Sequence, residues 1–413
     1  MTSGTRAHGD RRSIAKEVRV QIYLDHAATA PLRPEVREAW IDAASSVGNA
    51  SSIHGAGQHA RRLLEEARER LAAVLDADPI EVVFTSGGTE AVNLAVKGLW
   101  WARGPEQDSV VLPDAEHHAT LDAVAWLQSQ GAHVRHVGVD AEARIRLDEL
   151  AARLPGAALA TGLVANNECG TVNDAAAMSR AALDAGVPLH LDAVAAFGHV
   201  PVSFRAWRAD ARGRAGLAAL SISAHKIGGP AGVGALVVAR GAELTPLVHG
   251  GGQQRSLRAG TQDVPGAVGF AVAAELAEAE REAEAGRLAA LRGRLVGGIR
   301  RSIPDAVLLG DPVDRIPGNA HVLFPGASGE TLLFLLDVAG IAVSTGSACQ
   351  AGVPEPSHVV RAMGRTDAEA RQVLRLTMGR TTADEDVDAV LAALPDAVER
   401  ARAASGSRSG SRS

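Results

Sequence analysis

The chain has 413 residues, of which 46% are hydrophobic and 22% are charged, and its formal net charge is −6. This length exceeds what one hydrophobic core usually supports, so we expect two structural units, or one large domain with a smaller companion. The near-average composition excludes a small disulfide-stapled module and gives no sign of a nucleic-acid or membrane surface.

Cysteine and lysine are both scarce in this chain. The only cysteines are Cys169 and Cys349, which favours a reducing compartment and a free thiol. The N-terminal segment is basic without an apolar stretch, and no run approaches about 18 apolar residues, so we predict a cytoplasmic protein. The only lysines are Lys16, Lys97 and Lys226, although arginines are frequent. A lysine kept among small residues therefore points to amine chemistry that arginine cannot perform.

Short apolar runs alternate with helical patterns from residue 22 to about residue 265. Such alternation predicts an α/β fold with a mainly parallel sheet. A long helix rich in Ala, Glu and Arg is then predicted to end near Ile303, and further strand and helix patterns indicate a smaller α+β unit. The predicted strands of the first unit are 82–84, 110–112, 134–137, 159–164, 189–192, 219–223 and 235–238.

The first chemical motif is a glycine turn between a predicted strand and a predicted helix, in VVFTSGGTEAVNLAV (82–96). Backbone amides of the turn and of the helix N-terminus are suited to hold a phosphate, and Thr89 adds a hydroxyl donor. An ordinary strand-to-helix turn with Thr89 as N-cap explains the pattern about as well. The motif alone leaves both interpretations open.

The second motif places Lys226 between a predicted strand and a glycine-proline turn, in SISAHKIGGP (221–230). A lysine amine forms a Schiff base with an aldehyde cofactor, and small neighbouring residues leave room for a cofactor ring. A surface lysine is the usual alternative. The scarcity of lysine and the flanking Ser223 and His225 favour the cofactor role.

The third motif puts Asp192 at the end of an apolar strand, in HLDAVAAFGH (190–199). A buried carboxylate at that place is suited to hold the proton of a pyridine nitrogen. His190 and Asp192 are also compatible with a metal pair, but no third or fourth ligand clusters nearby in the sequence. We therefore favour the cofactor interpretation and predict no metal.

The fourth motif surrounds Cys349 with loop-forming residues, in STGSACQAGVPEPSHVV (344–360). A free cysteine is more often a small buried hydrophobe than a nucleophile. The Gly, Ser and Pro neighbours instead predict an exposed and mobile thiol that can act as a nucleophile. Cys169, in NNECG, lacks such surroundings and is predicted to be structural.

Further motifs follow one another in order along the chain. They are YLDHAATAP (23–31), GNASSIH (48–54), AEHHA, VANNECG, SAHKIGGPAGVGAL, HGGGQQRSLRAGT and STGSACQ…RLTMGR. Together with the four above, they resemble the NifS/IscS-like cysteine desulfurases, a class V group of fold-type I enzymes that use pyridoxal 5'-phosphate (PLP). The resemblance runs from about residue 20 to residue 400, and the Cys349 segment is similar to that of members with a long, flexible cysteine loop.

The resemblance also bears on the domains. We predict a fold-type I PLP-dependent transferase, with a large PLP-binding α/β domain at 33–280 and a small α+β domain at 19–32 and 281–403. The polar segments 1–18 and 404–413 are predicted to be disordered.

Site residues carry over position by position. Lys226 is implied as the Schiff-base lysine, His117 as an acid–base group stacked over the ring, and Cys349 as the sulfur-accepting nucleophile. Asn167 and Arg375 are implied to bind the substrate amino acid, with Arg375 as the bidentate partner of its carboxylate. The residues expected to contact the cofactor are Gly88, Thr89, Asn167, Asp192, Ser223, His225, Lys226 and Thr261. Of these, Thr261 is implied to reach the phosphate of the neighbouring subunit in a homodimer.

The implied reaction removes sulfur from L-cysteine, giving L-alanine and a Cys349 persulfide. An acceptor protein would then use the sulfur for iron–sulfur cluster assembly or tRNA thiolation. A selenocysteine lyase or another class V PLP enzyme is one alternative, and a non-catalytic scaffold with the same fold is another. The sequence departs from the family pattern at Ala195, where relatives usually have a glutamine that bonds the cofactor's phenolic oxygen, and at Ala50 and Ala30.

Overall fold

The runs predicted as strands do form strands in the computed structural model, which describes residues 22–346 and 355–409. In chain order the strands are β1 (Ile22–Tyr23), β2 (Val82–Thr85), β3 (Ser109–Pro113), β4 (His133–Val137), β5 (Leu159–Leu163), β6 (Pro188–Asp192), β7 (Gly216–Ser223), β8 (Gly234–Val238), β9 (Val307–Leu309), β10 (Asn319–Leu323), β11 (Ile341–Ala342) and β12 (Val373–Thr377).

Helices separate most of these strands. In chain order they are α1 (Pro34–Ala44), α2 (Gly55–Val74), α3 (Gly88–Trp101), α4 (His118–Ser129), α5 (Leu147–Arg153), α6 (Ala175–Asp184), α7 (Phe204–Arg208), α8 (Val264–Ser302), α9 (Gly329–Val338), α10 (His358–Ala362), α11 (Asp367–Ala370) and α12 (Asp384–Ser409). Single 3-10 turns lie at Pro79–Glu81, Ala224–Ile227 and Gln254–Ser256.

The large sheet has seven strands in the order β2-β8-β7-β6-β5-β3-β4. The strands from β7 to β4 in this order pair in parallel, whereas β8 runs antiparallel to both β2 and β7. Every residue of β5, β6 and β7 is buried, as expected of central strands in an α/β sheet. The predicted α/β fold with a mainly parallel sheet is confirmed.

Buried apolar side chains form two clusters. The larger one surrounds the seven-stranded sheet and includes Leu189, Leu191 and Phe270. The smaller one includes Leu24 and Leu376, and it covers the three-stranded sheet β12-β10-β9 and the parallel pair β1-β11. Because β1 pairs with β11, the start of the described chain lies within the smaller unit. This arrangement supports the proposed domain division, whose exact boundaries stay a prediction.

Helix α8 joins the two clusters. It begins after Asp263, whose Oδ1 accepts a hydrogen bond from the Gly266 amide at 2.9 Å, and a proline lies in its first turn. Ala277 belongs to the larger cluster and Leu288 to the smaller one. One continuous helix therefore takes part in both cores.

The C-terminal end differs from the sequence-based expectation. The tail is predicted to be disordered from residue 404, but α12 continues to Ser409. Ala401 is fully buried in the smaller cluster, and a helix that is already formed adds residues at little cost. Within residues 22–346 and 355–409, no helix is long and apolar enough to cross a membrane.

Candidate active site

A cavity of about 210 Å³ opens where five strands of the large sheet end. Its loops follow the carboxyl ends of β2, β3, β5, β6 and β7, the edge at which open α/β sheets bind ligands. The predicted site residues that line it are Gly88, Thr89, His117, Asn167, Asp192, His225 and Lys226. The fold thus brings together residues that are far apart in the sequence.

Lys226 lies in the 3-10 turn that directly follows β7. Two residues further on, Gly228 has a left-handed φ of 80°, and a side chain there would collide with neighbouring atoms. The Nζ atom donates a hydrogen bond to the Ala27 carbonyl. Burial, followed by the positive charge of Arg375, lowers the pKa of Lys226 to about 8. The neutral, nucleophilic amine is therefore accessible near neutral pH.

Asp192 ends β6 and is 2% exposed. Its Oδ1 accepts a hydrogen bond from the Val194 amide at 2.8 Å. Burial raises the pKa of Asp192 to about 6, against the opposing effects of that amide and of Lys226.

Glu116 is a second carboxyl group in the same region and is also buried. Its Oε1 accepts a hydrogen bond from the Leu163 amide at 2.8 Å. Burial, followed by the charge of Asp192, raises the pKa of Glu116 to about 8. At neutral pH the proton therefore resides on Glu116, and Asp192 carries the negative charge.

Two histidines in the cavity are neutral. His117 is the N-cap of α4, and its Nδ1 accepts a hydrogen bond from the Ala119 amide at 3.1 Å, so the ring proton lies on Nε2. The residue is exposed at the surface, but partial burial, followed by the charge of Lys226, lowers the pKa of His117 to about 4. The same two causes lower the pKa of His225 to about 4. Both rings can therefore accept a proton.

The glycine turn before α3 is tightly constrained. Gly87 has a φ of 153°, and a Cβ on Gly88 would come within 2.7 Å of a Val194 methyl group. The amides of Gly88 and Thr89 belong to the first helical turn, which leaves them without partners inside the helix. Nearby, Ser223 is 1% exposed, and its Oγ has no hydrogen-bond partner among the described residues. These donors are arranged as an anion-binding turn requires.

Arg375 reaches this region from β12 in the smaller unit and is 5% exposed. Its Nη2 donates to Asp25 Oδ1 at 2.9 Å, and its Nη1 donates to the Asn167 carbonyl at 2.8 Å. The side-chain Oδ1 of Asn167 is buried without a hydrogen-bond partner in the described part of the chain. A cation fixed beside the cavity can bind the carboxylate of an amino acid.

The remaining predicted residues are Thr261 and the two cysteines. Thr261 is exposed and does not line the cavity, and its predicted contact is with another subunit. Cys349 lies outside the described residues. Cys169 is fully buried, and burial raises the pKa of its thiol. This is the environment of an inert, structural cysteine, as predicted.

Asp25 and Glu116 have no predicted role, although both contact or adjoin the site. Asp25 lies in the motif 23–31, but its partner Arg375 is 350 positions away in the sequence. Glu116 directly precedes His117 after a strand, so its position in the sequence could have indicated a role in the site. Its effect depends on burial beside Asp192, which only the folded chain shows.

The comparisons with known proteins agree with this geometry. The family described as Aminotransferase class-V matches residues 22–390. The chain is 49% identical to an IscS-like cysteine desulfurase of Mycobacterium tuberculosis, over 92% of this chain and 97% of that relative. It is 39% identical to the cysteine desulfurase IscS of Methanosarcina thermophila, over 92% of this chain and 93% of that relative.

Solved structures give the same result. A NifS-like protein superposes with a TM-score of 0.85 at 32% identity, covering 92% of this chain and 99% of the other. A structure described as SspA in complex with cysteine has a TM-score of 0.74 at 31% identity, covering 86% and 98%. The chain belongs to the class V aminotransferase family and, within it, to the IscS/NifS-like cysteine desulfurases.

Proposed function

We propose that this cysteine desulfurase holds PLP in the cavity at the strand ends, takes sulfur from L-cysteine and passes it to Cys349. The observation that carries the proposal is the placement of Lys226 and Asp192 in one cavity, with Arg375 beside it. The relative SspA is described in complex with cysteine, which supports cysteine as the substrate.

The residues present fit PLP. Lys226 supplies an amine for covalent attachment to the aldehyde, and Asp192 supplies a buried negative charge for the pyridine nitrogen. Donors for the phosphate come from the glycine turn at Gly88 and Thr89 and from the Ser223 hydroxyl, which has no partner in the described part of the chain. When bound, PLP supplies an electron sink for the substrate carbon attached to nitrogen.

The side chains divide the remaining work. Arg375 pairs with the carboxylate of L-cysteine and orients it, while Asn167 offers nearby a side-chain oxygen that has no partner among the described residues. Lys226, with its pKa lowered to about 8, takes and returns a proton at the substrate carbon. Neutral His117 accepts a further proton close to that carbon.

Sulfur transfer also needs a nucleophilic thiolate, and we assign this role to Cys349. Its sulfur attacks the sulfur of L-cysteine, the carbon–sulfur bond breaks, and the electron pair stays on carbon, which gains a proton. The overall change is L-cysteine plus the Cys349 thiol to L-alanine plus the Cys349 persulfide, which balances without another oxidant or reductant. Cys169 is buried, with its thiol pKa raised, and is unsuited to this task.

The cellular setting is also part of the proposal. We place the enzyme in the cytoplasm as a homodimer, in which Thr261 contacts the phosphate held by the neighbouring subunit. An acceptor protein removes the persulfide sulfur for iron–sulfur cluster assembly or tRNA thiolation. The exposed position of Thr261 supports a contact outside its own chain.

Mass spectrometry after incubation with L-cysteine tests the proposal. One added sulfur atom is expected on Cys349 of the wild-type protein. Cys349→Ser should keep the absorbance change that L-cysteine causes but form no persulfide. Cys169→Ser is the matched control and should form it normally. A persulfide on Cys169, or alanine production undiminished in Cys349→Ser, would contradict the assignment.

A further inference from the structure

Two residues that flank the Cys349 segment approach one buried carboxyl group. Ser357 is fully buried, and its Oγ donates to Glu168 Oε2 at 2.5 Å. On the other side, Gly346 lies so close that a Cβ built on it would be 3.4 Å from the same Oε2. In the sequence, Cys349 lies between Gly346 and Ser357. Glu168 therefore accepts a hydrogen bond from the chain after the proposed sulfur acceptor and lies beside the chain before it.

Glu168 itself is held rigidly by its backbone. Its amide donates to Asn166 Oδ1 at 2.9 Å, and its carbonyl accepts from Asn319 Nδ2 at 3.0 Å. The side chain is not needed for these two contacts. The turn would therefore keep its backbone bonds without the carboxyl group.

Burying a carboxyl group is costly, and Glu168 is only 1% exposed. Burial raises its pKa, while His358, Ser357 and Arg375 oppose the rise. The carboxyl group accepts a hydrogen bond from Ser357. Part of the cost is therefore offset at the flank of the Cys349 segment.

The same turn also forms part of the active site. Asn167, adjacent to Glu168, lines the cavity and accepts a hydrogen bond from Arg375 through its carbonyl. The neighbour of Ser357 makes a second contact with the active-site region. His358 Nε2 lies 2.8 Å from the carbonyl of Glu116, the residue before His117. The flank after the Cys349 segment is thus tied to the cavity region through Ser357 and His358.

We propose that Glu168 is a positioning residue, which fixes Gly346 and Ser357 relative to the cavity and thereby sets how efficiently Cys349 takes sulfur from the substrate. This inference rests on the proposed function. Glu168 does not touch the reacting atoms; it acts through the two flanking residues.

The test compares Glu168→Ala, Glu168→Gln and Ser357→Ala in the PLP-loaded protein. In Glu168→Ala, the rate of persulfide formation on Cys349 should fall at least about tenfold, because small displacements of a reacting group are costly. The L-cysteine concentration that half-saturates the absorbance change should stay within about twofold, since the cavity residues are untouched. Glu168→Gln should restore most of the rate, because its amide oxygen still accepts from Ser357.

Ser357→Ala should lower the same rate, and adding it to Glu168→Ala should cause little further loss. The exposed Glu142→Ala is the control and should behave as wild type. The proposal is overturned if Glu168→Ala forms persulfide at the wild-type rate, or if its affinity for L-cysteine falls as much as that rate does. It is also overturned if Glu168→Gln forms persulfide as slowly as Glu168→Ala.

A second readout does not need turnover. Alkylation of Cys349 by iodoacetamide, in the absence of cysteine, should proceed at different rates in wild type and Glu168→Ala, because the flanks of the segment are released. Equal rates would overturn the positioning role. Absence of a persulfide in the wild-type protein would instead refute the proposed function, so the two failures are distinguishable.

Discussion

Lys226 and Asp192 stand at the ends of two neighbouring strands of the large sheet, whereas Arg375 reaches the same region from a separate antiparallel sheet. The first pair is fixed by the ladder of the sheet itself. Arg375 depends on Asp25 and on the Asn167 carbonyl, which belong to distant parts of the chain. Lys226 and Asp192, the sheet side of the site, are suited to bond making and proton transfer. Arg375 with its partners Asp25 and Asn167, the assembled side, is suited to holding a carboxylate. Changes on the two sides should therefore have different kinetic signatures.

The largest effect is expected on the sheet side. Lys226→Ala should abolish the absorbance of covalently held PLP and lower turnover at least about a thousandfold, because both the attachment point and a proton carrier are lost. The fold should persist, since burial already disfavours the charged amine. Lys97→Ala, which removes an amine stacked 4.7 Å from the Trp126 ring centroid, is the matched control and should leave both quantities unchanged. Unaltered absorbance in Lys226→Ala would disprove the attachment.

The assembled side should respond in binding. Arg375→Lys should lower kcat/KM for L-cysteine about a hundredfold, mainly through KM, because lysine lacks the fork that pairs with a carboxylate. Asp25→Asn should lower kcat/KM for L-cysteine about tenfold, since a hydrogen bond to a charged group is weakened rather than removed. Steady-state kinetics at several cysteine concentrations separate the two parameters. An unchanged KM in Arg375→Lys would show that Arg375 does not hold the substrate carboxylate.

The buried carboxyl pair gives a pH-dependent prediction. The pKa of Glu116 is raised from 4.5 to about 8, so between these values the folded protein keeps a proton that the unfolded chain has released. Stability from this group is lost as pH rises through that window, by up to about 1.4 kcal/mol per pH unit. Glu116→Gln should therefore gain stability relative to wild type as pH rises from 5 to 8.

Denaturant unfolding of the two apoproteins at each pH measures this difference. Subtracting the two curves removes the opposite contribution of histidines with lowered pKa values, such as His117. A difference that does not change with pH would show that Glu116 titrates normally.

The smallest effect concerns Ala195, which lines the cavity. Restoring the side-chain amide of relatives with Ala195→Gln should tighten PLP binding roughly two- to twelve-fold, the value of one neutral hydrogen bond. Titration of PLP into both apoproteins measures the dissociation constants. An unchanged or weaker constant in Ala195→Gln would show that water or a neighbouring group already serves the phenolic oxygen.

The sequence predicted the sheet side far better than the assembled side. Asp192 and Lys226 follow apolar runs, so their place at a strand end can be derived from local patterns. The pairing of Asp25 with Arg375 joins residues 350 positions apart, and no local pattern encodes it. Glu168 and Ser357 are separated by 189 positions and gave no signal either. The raised pKa of Glu116 depends on burial, a property of the packed core.

Helix α8 has a consequence for the cooperativity of unfolding. It has 39 residues, so at about 1.5 Å per residue it extends roughly 58 Å, with Ala277 in one core and Leu288 in the other. Melting either core would expose one half of a helix whose other half is still packed, and fraying would then spread along it. The two halves of the protein should therefore melt together, in one calorimetric transition rather than two.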